Sequence, residues 1–389
     1  MKQLTTITFL LFIFLGLNTN AIQAQQKVVV KGIVIDEFDN PIPFAAITLV
    51  GKTKGTSSTE DGGFSLFLTS AELEDTLSFS SLGFIPTKVK VKDYLAQKEQ
   101  KIVLKESVME MDEITILAPK HYVLSALKSL KENTLSEPHK LEMLFRRAGT
   151  EEGKSKFFVE NYVAVRDRGP AYGTGIIQVL HSRKSADYRY WKREQWRHPI
   201  IGMHEVNPLR PISSQHKRNL KKFKWIVDGE TSYDGEEVLI LKGTNPKKKW
   251  DNIVLFIGID SYKVYRIERG KSLYIYKKHQ NGKLVISYYK NDWSFPKWNI
   301  PKELLGTPAE TLRYQLEAFV YDVQTDKKKI KVRAYGADKD MGNLELPYDP
   351  VFWQNLSMPP DTKFYKQIKA GLESNFGVPL ETQYKLVNK

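Results

Sequence analysis

Three turn signals, Asp61-Gly62-Gly63, Asp234-Gly235 and Asn281-Gly282, each separate two short runs in which apolar and polar residues alternate. Glycine adopts the positive φ of a tight hairpin without steric cost, and Asn and Asp tolerate it, so these dipeptides commit their flanking runs to antiparallel pairing. The runs are short and rich in Val, Ile, Phe and Tyr, which favours strands over helices. Between Lys27 and Leu117 seven such runs recur: Val28–Asp36, Phe44–Val50, Phe64–Leu68, Leu77–Ser80, Val89–Val91, Ile102–Leu104 and Ile114–Leu117. Little helical periodicity interrupts them, and the pattern predicts a β-sandwich.

Ahead of these strands, Met1-Lys2 and the apolar run Phe9–Leu17 lead into a polar stretch that ends Ala21-Ile22-Gln23-Ala24. This is the pattern of a secretory signal, too short for the roughly 20 apolar residues of a membrane span. The chain is expected to be exported to the periplasm or outer membrane. It holds no cysteine, which excludes a lipid-anchored N-terminal Cys, a thiol nucleophile and a disulfide framework. The 59 Lys+Arg outnumber the 45 Asp+Glu, but unevenly. Residues 27–117 carry ten basic against fourteen acidic residues, and residues 118–389 carry 48 against 31. In an exported chain such a basic region points to an envelope component, either a lipid, an anionic glycan or an outer-membrane protein, and not to nucleic acid. Peripheral membrane contact fits the same charge.

Gly32-Ile-Val-Ile-Asp36, Pro41-Ile-Pro-Phe-Ala45, Gly55-Thr56, Asp61-Gly-Gly-Phe64 and Leu77-Ser-Phe-Ser-Ser-Leu-Gly-Phe84 occur in the order seen in carboxypeptidase-like regulatory domains. The N-terminal region resembles that family, found in exported and outer-membrane proteins of Bacteroidota. The resemblance implies a transthyretin-like sandwich without catalytic residues of its own.

After Pro119 the period changes. Tyr122, Leu124, Leu127, Leu130 and Leu135, with Val123 and Ala126, form an apolar stripe that predicts a short helix ending near Asn133. Strands then resume, longer and tyrosine-rich, from Leu141–Ala148 through Leu312–Tyr321, with a hairpin turn at Asp326-Lys327 leading to a last candidate at Lys328–Tyr335. The reading is mainly β: a signal peptide at 1–25, the sandwich at 26–118, a linker helix at 119–137, and at 138–389 a large curved antiparallel sheet or half-barrel with a few short helices. Leu141–Ala148, Phe157–Val163, His181–Asp187, Tyr233–Leu241 and Phe256–Arg266 resemble the LolA-like segment of barrel-bearing outer-membrane proteins. That resemblance implies a half-open barrel able to hold an acyl chain. In those proteins a transmembrane barrel follows. Here 54 residues follow Tyr335, too few for one at about 9–11 residues per strand. A final helix is expected from Asp361 as its cap to Ser374, laid across the mouth of the half-barrel.

Chemistry-bearing motifs are sparse. The seven histidines form no H-E-x-x-H pair, and no G-x-S-x-G elbow or phosphate-binding glycine fingerprint occurs. No catalytic residue, metal ligand or cofactor is assigned. The long segment 185–222 shows little periodicity, and loops of that length are usually functional or disordered. It offers Tyr188, Trp191, Arg193, Trp196 and Arg197 as a candidate binding loop, able to stack on sugars or grip anions, or alternatively to pack on the sheet. Its basic run offers Lys217, Arg218, Lys221, Lys222 and Lys224 as candidate contacts to an anionic surface. The sequence therefore points to a non-enzymatic binding or envelope-assembly protein, with a lipid or other hydrophobic molecule as its expected ligand. A glycan-binding module and a hydrolase with a site built from distant residues are the alternatives.

Overall fold

The computed structural model describes residues 27–107, 117–186, 197–211, 220–248, 250–296 and 311–387. The first of these segments forms two facing sheets. One has the order β4-β1-β7, from β1 (Lys27–Ile35), β4 (Gly63–Thr69) and β7 (Lys101–Val103). The other has the order β3-β2-β5-β6, from β2 (Ala46–Leu49), β3 (Gly55–Ser57), β5 (Thr76–Ser80) and β6 (Thr87–Lys90). Val30, Val34, Ile47, Phe64, Phe79 and Tyr94 fill the space between them. Gly32 is required here: a Cβ would lie 2.0 Å from the Tyr94 hydroxyl and 2.2 Å from the Gln100 carbonyl oxygen. Two details differ from the sequence reading. Asp61-Gly62-Gly63, expected to turn a hairpin, instead carries the chain between the sheets, since β3 pairs with β2 and β4 with β1. Val91, expected to end a strand, instead opens the helix α1 (Val91–Leu95), where it and Tyr94 turn inward. The strand expected at Ile114 lies outside the described residues.

The linker is two short helices, α2 (Pro119–Lys128) and α3 (Leu130–Asn133). Proline at the first helical position gives up no hydrogen bond there. Tyr122, Val123 and Ala126 bury one face of α2.

The large sheet has ten strands in the order β10-β9-β8-β17-β16-β15-β14-β13-β12-β11. They are β8 (His139–Glu151), β9 (Lys154–Asp167), β10 (Ile176–Lys184), β11 (Lys224–Tyr233), β12 (Glu236–Thr244), β13 (Asn252–Gly258), β14 (Val264–Arg269), β15 (Ser272–Lys278), β16 (Leu284–Pro296) and β17 (Thr311–Gln324). Every neighbouring pair is antiparallel, and the two end strands do not pair with each other, so the sheet is open and no barrel closes. β17 sits between β8 and β16 and joins a three-stranded meander to a six-stranded one.

Alternation along β8 separates the two faces. Leu141, Met143 and Phe145 point to one face, where α2 and α4 (Pro199–Val206) contribute Tyr122, Val123, Ile200 and Met203. Leu144 and Ala148 point to the other. That second face is covered by the sandwich and by three C-terminal helices, α5 (Pro350–Asn355), α6 (Lys363–Phe376) and α7 (Leu380–Val387). Phe44 of the sandwich stacks on Tyr288 with ring centroids 4.5 Å apart, and Lys290 pairs with Glu60.

Three expectations are corrected. Residues 328–335 form no strand; Tyr335 alone makes a bridge beside Gln178. Lys328, Lys329, Lys331 and Arg333 crowd one sign of charge into that run, and Gly336 at φ 76° turns the chain away. The C-terminal helix starts one residue later than expected, capped by Thr362, and ends at Gly377 in the left-handed conformation. It lies against β9 and β8 on the second face, with Tyr365, Ile368 and Leu372 on Ala148 and Phe158, and not across the mouth. Finally, the segment read as lacking periodicity holds the helix α4, started by Pro199.

A cleft between helix α4 and the large sheet

On the first face the sheet is not completely filled. Beneath and beside α4, a cleft of about 810 Å³ runs over β8, β16 and β17, with the β14–β15 turn at its edge. Ile201, Met203, Val206, Tyr289, Trp293 and Leu316 make its walls mainly apolar. Arg147 and His198 lie buried at its inner end, while Arg197, Glu205 and Lys271 are exposed where it meets solvent. Gly202 also lines it, and the position of a Cβ there meets nothing within 4 Å.

Side chains from the sheet hold α4 in place above this space. Tyr274 donates its hydroxyl to the Met203 carbonyl at 2.9 Å, and Arg269 Nη1 donates to the Val206 carbonyl at 3.2 Å. Asn207, just past the helix, donates to the Tyr276 hydroxyl at 2.7 Å. At the other end, His198 Nε2 lies 3.1 Å from Asn161 Oδ1. Arg147 Nη2 donates to both carboxylate oxygens of Asp340, at 2.7 and 2.8 Å. Burial pushes the His198 imidazole down to about 3, with the nearby Asp340 opposing and Arg147 adding to the shift. It is therefore neutral and structural at neutral pH.

Beyond α4 lies a sealed polar cluster. Arg210 grips Asp167 at 3.1 and 2.5 Å. Burial opposes ionisation of Asp167, but the Arg210 charge outweighs it and holds the carboxyl well below its ordinary range. His204 faces a void of only about 10 Å³ beside this pair, and neither ring nitrogen has a hydrogen-bond partner. That is room for a single water at most. Burial first, then Arg210, drives the His204 pKa down to about 3. Among the described residues lining this void, Tyr274 and Tyr276 supply the only hydroxyls.

The second face carries buried charge instead of space. Arg146 Nε donates to Glu317 at 2.7 Å with both side chains fully buried, and Tyr288 donates to the other Glu317 oxygen at 2.5 Å. Tyr365 of α6 covers the guanidinium at 3.9 Å. Arg183 pairs with Glu160 and lies over Trp353 at 4.3 Å.

Of the candidate binding loop, only Arg197 falls within the described residues, and it stands at the cleft's edge. Tyr188, Trp191, Arg193 and Trp196 lie outside them, as do Lys217 and Arg218. Lys221 and Lys222 form an exposed 3-10 turn, and Lys224 opens β11, also exposed. The cleft residues Met203, Tyr289, Trp293 and Leu316 were not singled out from the sequence. Among the described residues no group of His, Asp or Glu could hold a metal ion. No helix among them is long and apolar enough to cross a membrane, which says nothing of β-barrels.

Comparison with known proteins agrees with the N-terminal resemblance. Residues 30–116 match the family model of the CarboxypepD_reg-like domain. Over 129 residues the chain is 28% identical to the TonB-dependent receptor SusC of Bacteroides thetaiotaomicron, a match covering 32% of this chain and 12% of the receptor. Among solved structures, a putative outer membrane lipoprotein-sorting protein domain from Vibrio parahaemolyticus aligns with 54% of this chain and 95% of its own, at 10% identity and a TM-score of 0.28. A LolA superfamily protein from Nitrosomonas europaea aligns with 56% and 99%, at 12% identity and a TM-score of 0.22.

Proposed function

We propose that this chain is an exported, non-enzymatic binding protein of the bacterial envelope, and that the cleft between α4 and the large sheet holds an amphipathic ligand. The observation that carries this reading is the cleft's composition: apolar walls of Met203, Val206, Trp293 and Leu316, with Lys271 and Arg197 outnumbering Glu205 at its opening. Its volume of about 810 Å³ lies within the range of small-molecule sites, which are mostly apolar with a few placed polar groups. Acyl chains suit such walls, and a carboxylate or phosphate head suits the opening. Catalysis has weaker support, because His198 at the inner end is neutral and engaged by Asn161, and among the described residues no serine or threonine lines the cleft.

Native mass spectrometry of the purified chain tests this reading. Co-purified fatty acid or phospholipid, released on denaturation, is the expected result. A homogeneous unliganded mass that takes up no added fatty acid would contradict it.

A further inference from the structure

The strand registers place the cleft's opening and one hairpin tip at the same end of the large sheet. Lys224 pairs with Thr244, Thr244 with Asn252, Arg269 with Ser272, and Ser272 with Asn291. The β12–β13 turn, with the sequence Asn245-Pro-Lys-Lys-Lys-Trp-Asp251, projects from this row. Beside it stand the β14–β15 turn with Lys271 and the start of β11 with Lys221, Lys222 and Lys224, all exposed.

Trp250 in that turn is 75% exposed. The turn cannot easily fold it away. Asn245 Oδ1 accepts from the Lys247 amide at 3.1 Å, and the Lys248 carbonyl accepts from the Asp251 amide at 2.8 Å. Asp251 is in turn anchored by Asn245 at 3.1 Å and by Arg269 Nη2 at 2.9 Å. Arg269 also holds the end of α4, so the turn and the cleft wall share one anchor. Lys248 Nζ lies 5.5 Å from the Trp250 ring centroid. Acidic groups at this end are fewer and mostly engaged: Asp251 by Arg269, Asp292 by Arg313, and Glu151 by Lys156, while Glu152 and Glu205 are exposed.

From this juxtaposition we infer that this end of the sheet docks on an anionic lipid bilayer, with Trp250 seated among the headgroups and the surrounding lysines on lipid phosphates. A tryptophan suits that interface because its ring is apolar and its N–H polar. Within this turn Trp250 is the one aromatic, set amid lysines. A protein interface would instead centre on a depleted-charge aromatic core, so the bilayer is the occupant this surface fits. Docked this way, the cleft opens towards the lipid. That advantage rests on the ligand reading above; the docking itself does not.

The test is vesicle flotation of the purified chain with phosphatidylcholine vesicles, with and without phosphatidylglycerol. Binding is expected only to the anionic vesicles, and it should weaken as salt rises. Trp250→Ala should lower binding on the order of 10-fold through the lost apolar contact. Lys247→Glu with Lys248→Glu should lower it by at least about 10-fold through reversed charge near the surface. Gly202→Phe, which fills the cleft, should leave vesicle binding unchanged, whereas the Trp250 and lysine variants should retain uptake of a fluorescent fatty acid. Equal binding to neutral vesicles, absence of binding at low salt, or full binding by both the Trp250 and the lysine variants would overturn the docking. Loss of fatty-acid uptake by the unaltered chain would overturn only the ligand reading.

Discussion

The two faces of the ten-stranded sheet solve the same burial problem in opposite ways. The face under the sandwich and α6 is sealed and buys its charge burial with pairing: Arg146 with Glu317, Arg183 with Glu160, each lidded by aromatic rings. The face under α4 is mainly apolar and incompletely filled; its buried pairs, Arg147 with Asp340 and Arg210 with Asp167, sit at the cleft's inner end and in the cluster beyond α4. A buried ion pair tolerates little displacement, since removing one partner strands the other in low dielectric. An apolar wall tolerates exchange of one occupant for another. The difference assigns rigidity to one face and binding to the other.

The largest expected effect comes from breaking the sealed face. Glu317→Gln leaves Arg146 buried without its counter-charge and should cost about 3–5 kcal/mol in urea denaturation. Replacing both partners, as Arg146→Met with Glu317→Leu, should recover most of that loss, because an apolar pair leaves no stranded charge. If the double variant is as unstable as the single one, the pair contributes more than mutual neutralisation.

Acid should act on the cleft side. His198 and His204 have folded pKa values of about 3, against an ordinary 6.5. The unfolded chain therefore binds more protons below pH 6.5, and stability falls as pH drops through that value towards 3. Between pH 6.5 and 5 each histidine should remove about 2 kcal/mol. His204→Gln should make the pH profile of the denaturation midpoint shallower; an unchanged profile would show that His204 is not held neutral.

A smaller effect is expected where the sandwich meets the sheet. Phe44→Ala removes the stack on Tyr288 and should cost about 1–2 kcal/mol, with any loosening reported by hydrogen exchange at β3 and β17. The smallest stability change belongs to Gly202→Phe. The side chain would enter open space and a helical glycine would be replaced, so the denaturation midpoint should move by less than about 1 kcal/mol, in either direction.

Much of the architecture was legible in residue order. The hairpin dipeptides Asp234-Gly235 and Asn281-Gly282 fix local pairing, and both glycines take positive φ in the structure. The placement of β17 between β8 and β16 is a long-range choice that no local signal carries. Alternation favours a strand at 328–335, but crowding its lysines and Arg333 costs more than that alternation gains. One signal for the two faces was present and overlooked: Arg146 and Arg147 adjoin in an otherwise apolar strand. Neighbours in a strand point to opposite faces, so each face had to receive one arginine and a partner for it. The cleft was less visible, since Met203, Tyr289 and Leu316 are ordinary core residue types and only the packing of α4 leaves space between them. His198-Pro199, a turn residue followed by proline, was the available hint of that helix.

The central claim is that the cleft under α4 is a ligand site, and titration with a fluorescent fatty acid tests it most directly when the unaltered chain is compared with Gly202→Phe. Saturable uptake by the former and loss of at least about 10-fold in affinity by the latter, at unchanged stability, is the result this account predicts. Equal uptake by both chains would place the ligand elsewhere and contradict it.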